Sequence, residues 1–170
     1  MRIEVAIAVG SMVCATTVAF ADVLPPGWAA REDGALVHQA SGATCPAELG
    51  GLKRTQLDAK GAPDLGICGY SGDGDHEGLI RVREYVPGAG ETPLAIQNDK
   101  MLMEPPLGSR NVSGIRAGPG PDKNGVPTQQ FVVTVTHNKL LIDCIGRQSR
   151  TDESKFASDF AIACMTQQRI

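Results

Sequence analysis

Apolar and polar residues alternate most clearly near the C-terminal end of the chain. Two strands are predicted there, each with apolar residues at every second position: Phe131, Val133 and Val135 on the first, and Leu140, Ile142 and Cys144 on the second. A two-residue turn at His137-Asn138 would place Val135 opposite Leu140 and Phe131 opposite Cys144. Because directly opposed residues lie on the same side of a sheet, this register gathers all six on one face. The pattern therefore predicts a β-hairpin.

A helix is predicted after this hairpin. Thr151–Ser154 offers an N-cap followed by two acidic residues, which favour the positive end of a helix. A helix over Asp152–Gln167 would place Phe156, Phe160 and Cys164 on one stripe. We expect this stripe to pack on the apolar face of the hairpin.

The residue patterns elsewhere in the chain predict shorter elements. The predicted strands are Ala35–Gln39, Leu52–Leu57, Leu65–Tyr70, Leu79–Val86 and an edge strand over Arg110–Ala117. Thr92-Pro93 has the residues of a helix start, which predicts a helix over Leu94–Met103. The fold class predicted is α+β, a mostly antiparallel sheet covered by one or two helices, in a single domain over residues 22–170.

The first 21 residues have the features of a signal peptide. Arg2 precedes a largely apolar run from Val5 to Phe20, which closes on Ala19-Phe20-Ala21, an A-x-A cleavage signal. The run is too short and too interrupted by polar residues for a membrane span. An uncleaved anchor is the alternative. We predict cleavage after residue 21, a periplasmic or secreted protein, and no membrane span in the mature chain.

Removal of the signal leaves four cysteines: Cys45, Cys68, Cys144 and Cys164. In an exported chain this number indicates two disulfides, with three possible pairings. No pair has C-x-x-C spacing, which argues against a zinc knuckle or a redox motif. Strand and helix periodicity place Cys144 and Cys164 on facing apolar surfaces, so we predict Cys144–Cys164 and, as the remaining pair, Cys45–Cys68.

Charge and composition argue against a nucleic-acid-binding protein. The formal net charge is −3 and aromatic residues make up 4% of the chain, whereas nucleic-acid surfaces are basic and often carry stacking aromatics. Four basic residues lie on predicted strands and could share one sheet face: Lys53, Arg54, Arg81 and Arg83. We interpret this face as solvated.

One stretch has the residue spacing of a calcium-binding loop. With Asp73 at position one, Asp75 and Glu77 fall at three and five, a glycine at six and Glu84 at twelve. These are ligand and turn positions of an EF-hand. The flanking residues predict strands, however, and an EF-hand loop joins two helices. We therefore interpret the stretch as a hairpin tip, with a weak calcium site as the alternative.

The histidines and serines form no recognised catalytic or metal motif. No two of His38, His76 and His137 are four residues apart, and there is no G-x-S-x-G, S-x-x-K, P-loop or G-x-G-x-x-G sequence. Ser41 lies close to His38 in sequence, but serine and glycine at this point are typical of a turn. No cofactor is predicted. A hydrolase would need His38 or His137 to meet a carboxylate in a pocket.

The segments "LPPGW" at residues 24–28 and "DGALVHQASGATCP" at residues 33–46 precede the terminal hairpin and helix. This layout resembles that of small exported bacterial α/β proteins of unknown function that carry a Ser-Gly-x-x-Cys-Pro motif. The order of elements is similar to that of the PsbP/Mog1 type of domain. The resemblance implies an antiparallel sheet sandwiched by helices, used largely for binding and assembly, and it transfers no catalytic residue.

Three functions are compatible with these observations. The leading hypothesis is an exported, non-catalytic cell-envelope protein that binds or assembles with a protein or small-ligand partner. The second is a small secreted inhibitor or ligand-binding module, and the third is a hydrolase using His38 or His137.

Overall fold

The computed structural model describes residues 24–72, 74–84, 111–112, 116–137 and 140–168. These residues form eleven strands and one helix, so the fold is mainly β. The strands are β1 (Trp28–Ala30), β2 (Leu36–His38), β3 (Ala43–Cys45), β4 (Glu48–Leu49), β5 (Leu52–Asp58), β6 (Asp64–Ser71), β7 (Glu77–Glu84), β8 (Asn111–Val112), β9 (Arg116–Pro119), β10 (Thr128–His137) and β11 (Leu140–Ser149), and the helix is α1 (Phe156–Gln168). The predicted helix over Leu94–Met103 lies outside the described residues.

Eight strands form one antiparallel sheet. Their order is β4-β5-β6-β7-β11-β10-β8, and β9 also pairs with β10. Strands β4 to β7 follow one another as neighbours, and the C-terminal hairpin joins them through β7 and β11, with Ile142 opposite Val82. The predicted edge strand Arg110–Ala117 corresponds to two short strands, β8 and β9, which pair with different parts of β10.

The C-terminal hairpin is confirmed, but its predicted register is wrong by two residues. Val135 lies opposite Ile142 rather than Leu140, because β10 continues to His137 and only residues 138–139 separate the strands. A shift of two residues keeps every side chain on its original face. The central residues of the predicted apolar face are therefore fully buried: Val133, Val135, Ile142 and Cys144.

Helix α1 packs on this apolar face, and it begins four residues later than predicted. The buried side chain of Gln148 on β11 caps the helix, since its Oε1 atom accepts the N–H of Ala157 (2.7 Å). Its Nε2 atom donates to the carbonyls of Asp152 and Ser154, which fixes these residues in a turn ahead of the helix. No helix in the described ranges is long and apolar enough to cross a membrane.

Two glycines bring α1 close to the sheet. Gly146 on β11 lies opposite Gly78 on β7. A Cβ atom at Gly146 would lie 2.0 Å from the carbonyl oxygen of Ala157, and one at Gly78 would lie 2.1 Å from the Cζ atom of Phe160. Because these two positions carry no side chains, the first half of α1 can pack directly on the backbone of the sheet.

A small antiparallel sheet of β1, β2 and β3 covers the other end of the same face. The indole N–H of Trp28 donates to the carbonyl of Leu65 on β6 (3.0 Å), and its ring lies over Gly66. At the end of α1, the amide of Gln168 bonds both the N–H and the carbonyl of Thr44 on β3 (2.8 and 2.7 Å). Helix and small sheet thus form one layer, which we call the front layer.

Both predicted disulfides are confirmed. Cys45 on β3 is bonded to Cys68 on β6, with Cα atoms 6.3 Å apart, and Cys144 on β11 to Cys164 on α1, with Cα atoms 5.7 Å apart. All four residues are fully buried. Each half of the front layer is therefore joined covalently to the large sheet.

The opposite face of the large sheet carries buried polar side chains. The Nε–H of Arg83 donates to Oδ2 of Asp143 (2.7 Å), whose Oδ1 atom accepts the hydroxyl of Thr134 (2.7 Å). All three residues are buried. The predicted solvated basic face is therefore wrong, because Arg83 is paired and buried, and because Arg54 lies on the front face beside its strand partner Tyr70.

Candidate functional site

The stretch with calcium-loop spacing forms the β6–β7 hairpin. Asp75 is exposed near its tip, and Asp73 lies outside the described residues. Glu77 on β7 pairs with Lys123 (3.0 Å). Glu84 ends the same strand, about 23 Å beyond Glu77 at the usual rise of a strand, so it does not close a loop around the tip. Within the described ranges, no three His, Cys, Asp or Glu side chains are placed to hold a metal ion.

His38 is a buried packing residue of the small sheet. Its Nδ1 atom is hydrogen-bonded to Oγ of Ser41 (2.9 Å), which also accepts the N–H of Ala43 (3.1 Å). The imidazole centroid lies 5.3 Å from a ring of Trp28. Gly27 packs closely against the other side of the ring, since a Cβ atom at this position would lie 3.2 Å from Nε2 of His38. The described contacts of His38 include no carboxylate, and the ring fixes the turn that follows β2.

The burial of His38 predicts acid sensitivity of the fold. Desolvation lowers the pKa of His38 below its ordinary value of 6.5. Below about pH 6.5 the unfolded chain therefore binds a proton that the folded chain does not, and stability falls as the pH decreases. One such proton contributes a slope of at most about 1.4 kcal/mol per pH unit.

Urea unfolding of the parent and of His38→Gln between pH 7 and pH 5 measures this effect. We expect the free energy of unfolding to fall less steeply in the variant, which lacks the titrating ring. Equal slopes in the two proteins would contradict the assignment.

His76, near the tip of the β6–β7 hairpin, is paired with the carboxylate of Asp152. The Nε2–H of His76 donates to Oδ2 of Asp152 (2.6 Å), and the imidazole stacks on Phe156 with centroids 4.1 Å apart. The backbone N–H of Ser154 and the bond from His76 hold the pKa of Asp152 below its usual value. This pair fastens the hairpin tip to the start of α1. His137, named in the hydrolase hypothesis, is the last residue of β10.

A groove of about 550 Å³ lies between the N-terminal segment, the small sheet and β5. Four apolar residues and three polar residues line it: Leu24, Pro25, Leu36 and Leu57, and Arg54, Thr55 and Gln56. Its volume lies within the usual range for ligand pockets. We call it the β5 groove.

A β-bulge in β5 brings a cation and an apolar side chain to the same face. Arg54 pairs with Tyr70 and Leu57 with Cys68, and the register shifts between them. Tyr70 and Cys68 are two residues apart on one strand and share a face, so their partners share it too. In a regular strand, residues three apart would point to opposite faces. The extra residue of the bulge, Thr55, places Arg54 and Leu57 on the same face instead.

The guanidinium of Arg54 is held in place by the small sheet. Its Nη1 atom donates to the carbonyl of Cys45, and its Nη2 atom donates to the carbonyl of Gly34 (3.0 Å). Among the described residues, no carboxylate forms an ion pair with Arg54. The groove therefore carries a fixed positive charge with further N–H donors available.

Within the described residues, the outer edge of β5 is paired only at its beginning. β4 pairs with Leu52 and Lys53, and the N–H of Arg54 donates to the carbonyl of Ala47 (2.8 Å). From Thr55 to Asp58, no strand in the described part of the chain pairs with this edge. The β5 groove thus lies beside a short stretch of sheet edge that no described strand covers.

Sequence reasoning did not identify this groove or the His76–Asp152 pair. Both depend on contacts between elements that are distant in sequence. Comparison with known proteins found no protein family whose model matches the chain and no curated protein that matches it.

Proposed function

We propose that the protein is exported and acts in the cell envelope by binding a partner in the β5 groove, without catalysing a reaction. The observation that carries this proposal is the combination of apolar lining, a fixed cation and a sheet edge that no described strand covers, all in one place. Such a combination can fix both the position and the orientation of a partner.

Two features support the exported location. The signal-like residues 1–21 predict entry into the export pathway. The two buried disulfides indicate an oxidising compartment, such as the periplasm or the exterior, where such bonds form and persist. The antiparallel sheet with a C-terminal helix is also in keeping with the PsbP/Mog1-like layout, which is used largely for binding and assembly.

A small-ligand-binding module is the second candidate. The groove volume of about 550 Å³ suits a small molecule as well as a short peptide segment. The open edge of β5 favours a partner with a backbone, because a small molecule leaves most edge N–H and C=O groups without partners.

Site-specific photo-crosslinking in cells that export the full chain tests the proposal. A photoreactive residue replaces the exposed Thr55 in the groove, and in a matched control it replaces the exposed Ile162 on α1. We expect a discrete protein adduct from position 55 but not from position 162, formed by a mature chain that begins at Asp22. The additional substitution Leu57→Asp should suppress the adduct, since it puts a charge in the apolar lining.

Identical adducts from both positions would show that the groove is not selective. A chain that retains Met1 in a cytosolic fraction would contradict the exported location.

A further inference from the structure

The open edge of β5 indicates what kind of chain fits the groove. An edge strand presents alternating N–H and C=O groups at the spacing of an extended backbone, and an added strand satisfies them. The open stretch spans Thr55–Asp58, which corresponds to about four residues of a partner, or roughly 13 Å. The matching occupant is a short extended peptide.

The groove walls specify the side chains and charge of this peptide. Leu24, Leu36 and Leu57 offer an apolar surface, so an apolar side chain on the peptide gains by being buried there. Arg54 lies on the same face as Leu57 and has no carboxylate partner among the described residues. A carboxylate beside Arg54 would receive a charge-assisted hydrogen bond.

The position of β4 determines which part of the peptide meets Arg54. β4 is antiparallel to β5 and occupies the same outer edge, starting where the open stretch ends. An added antiparallel strand would therefore point its C-terminal end at Ala47, whose carbonyl already accepts the N–H of Arg54. A chain that continued past this point would collide with the segment leading into β4, whereas a chain that ends there would not. A parallel strand would instead bring its N-terminal end to the guanidinium.

We propose that the β5 groove binds the C-terminal end of a partner polypeptide as an added antiparallel strand, with an apolar side chain near its end on Leu57 and the terminal carboxylate on Arg54. This inference rests on the proposed function and deepens it, because it states which part of the partner is bound. The partner extends away from the groove past Asp58, where the surface is exposed.

Peptide libraries test this proposal on the full mature chain. Acetylated octapeptides randomised at their last four positions are prepared in two forms, one with a free C-terminal carboxylate and one with a C-terminal amide. Peptides are selected on the immobilised protein, and fluorescence anisotropy measures their affinity. We expect free-acid peptides with an apolar residue near the end to bind at least about tenfold more tightly than their amides.

Variants of β5 assign the effect to Arg54. Arg54→Gln should remove the preference for the free acid, and Lys53→Gln, which removes an exposed neighbouring cation, should leave it unchanged. Since Arg54 also bonds the carbonyls of Cys45 and Gly34, thermal melting checks that the variant is folded. Leu57→Asp keeps these two bonds and should lower the affinity at least about tenfold by charging the apolar lining.

Several results would overturn the inference. Equal binding of acids and amides would exclude recognition of the C-terminus, and so would amide peptides that bind as tightly through an internal Asp or Glu. No selected peptide in either library would exclude peptide binding at this groove. If position 55 still crosslinks a protein in cells in these cases, partner binding stands and only the C-terminal mode fails.

Discussion

Replacing Asp143 by alanine is expected to destabilise the protein by about 3–5 kcal/mol. The carboxylate accepts hydrogen bonds from Arg83 and Thr134, and it lies in the middle of the large sheet between β7 and β10. The side chains of Arg83 and Asp143 are only 8% and 7% exposed, so water cannot replace the lost partner. Removing the carboxylate breaks both hydrogen bonds at once and takes away a negative charge that compensates the buried guanidinium of Arg83.

The pair Arg81–Asp64 is the matched control. It has nearly the same geometry, with 2.6 Å between Nε and Oδ1, but its side chains are 19% and 18% exposed. We expect Asp64→Ala to cost less than Asp143→Ala, because solvent partly screens a pair whose side chains are more than twice as exposed. Chemical denaturation of the two single variants measures their free energies of unfolding. Equal losses of stability would show that burial does not make the Arg83–Asp143 pair more important than the Arg81–Asp64 pair.

Loss of the Cys144–Cys164 bond is expected to cost about 2–5 kcal/mol. The double substitution Cys144→Ser with Cys164→Ser opens a loop with a sequence separation of 20 residues. Closing a loop of this size contributes about 3 kcal/mol in the chain-entropy model, and the new hydroxyls in the core add to the loss. Helix α1 should then exchange its amide hydrogens faster than the strands beneath it.

The second disulfide provides a control that separates stability from binding. Cys45→Ser with Cys68→Ser opens a loop of similar size, with a separation of 23 residues, and it frees β3 from β6. Because the Cys45 carbonyl also holds Arg54, this variant should lose peptide binding at temperatures where it remains folded. The Cys144/Cys164 variant should keep binding under the same conditions. Equal effects of the two variants on binding would contradict the placement of the site.

Local periodicity was sufficient to predict the C-terminal hairpin, the helix that follows it and the disulfide between them. Alternation along β10 and β11 identified the apolar face even though the register was wrong by two residues, because a shift of two keeps the faces. Helical spacing put Cys164 on the stripe that meets this face, and the disulfide followed from these two patterns. The start of α1 was missed because Gln148, a residue of another element, caps the helix.

The groove and the polar face required contacts that no local pattern reveals. Alternation predicts opposite faces for Arg54 and Leu57, and a single-residue bulge at Thr55 reverses that prediction. Similarly, Arg83 and Asp143 are typical of a solvent-exposed face when each strand is considered alone. Only the pairing of β7 with β11, which are distant in sequence, brings their charges together in a buried position.

Hydrogen exchange of individual amides is the most direct test of strand addition at β5. The full mature chain is measured with and without a saturating amount of the tightest selected free-acid peptide. We predict slower exchange in the complex for amides between Thr55 and Asp58, with no change in β9 near the other edge of the large sheet. Unchanged exchange at β5 in the saturated complex, or equal slowing of β5 and β9, would contradict binding of a partner strand in the β5 groove.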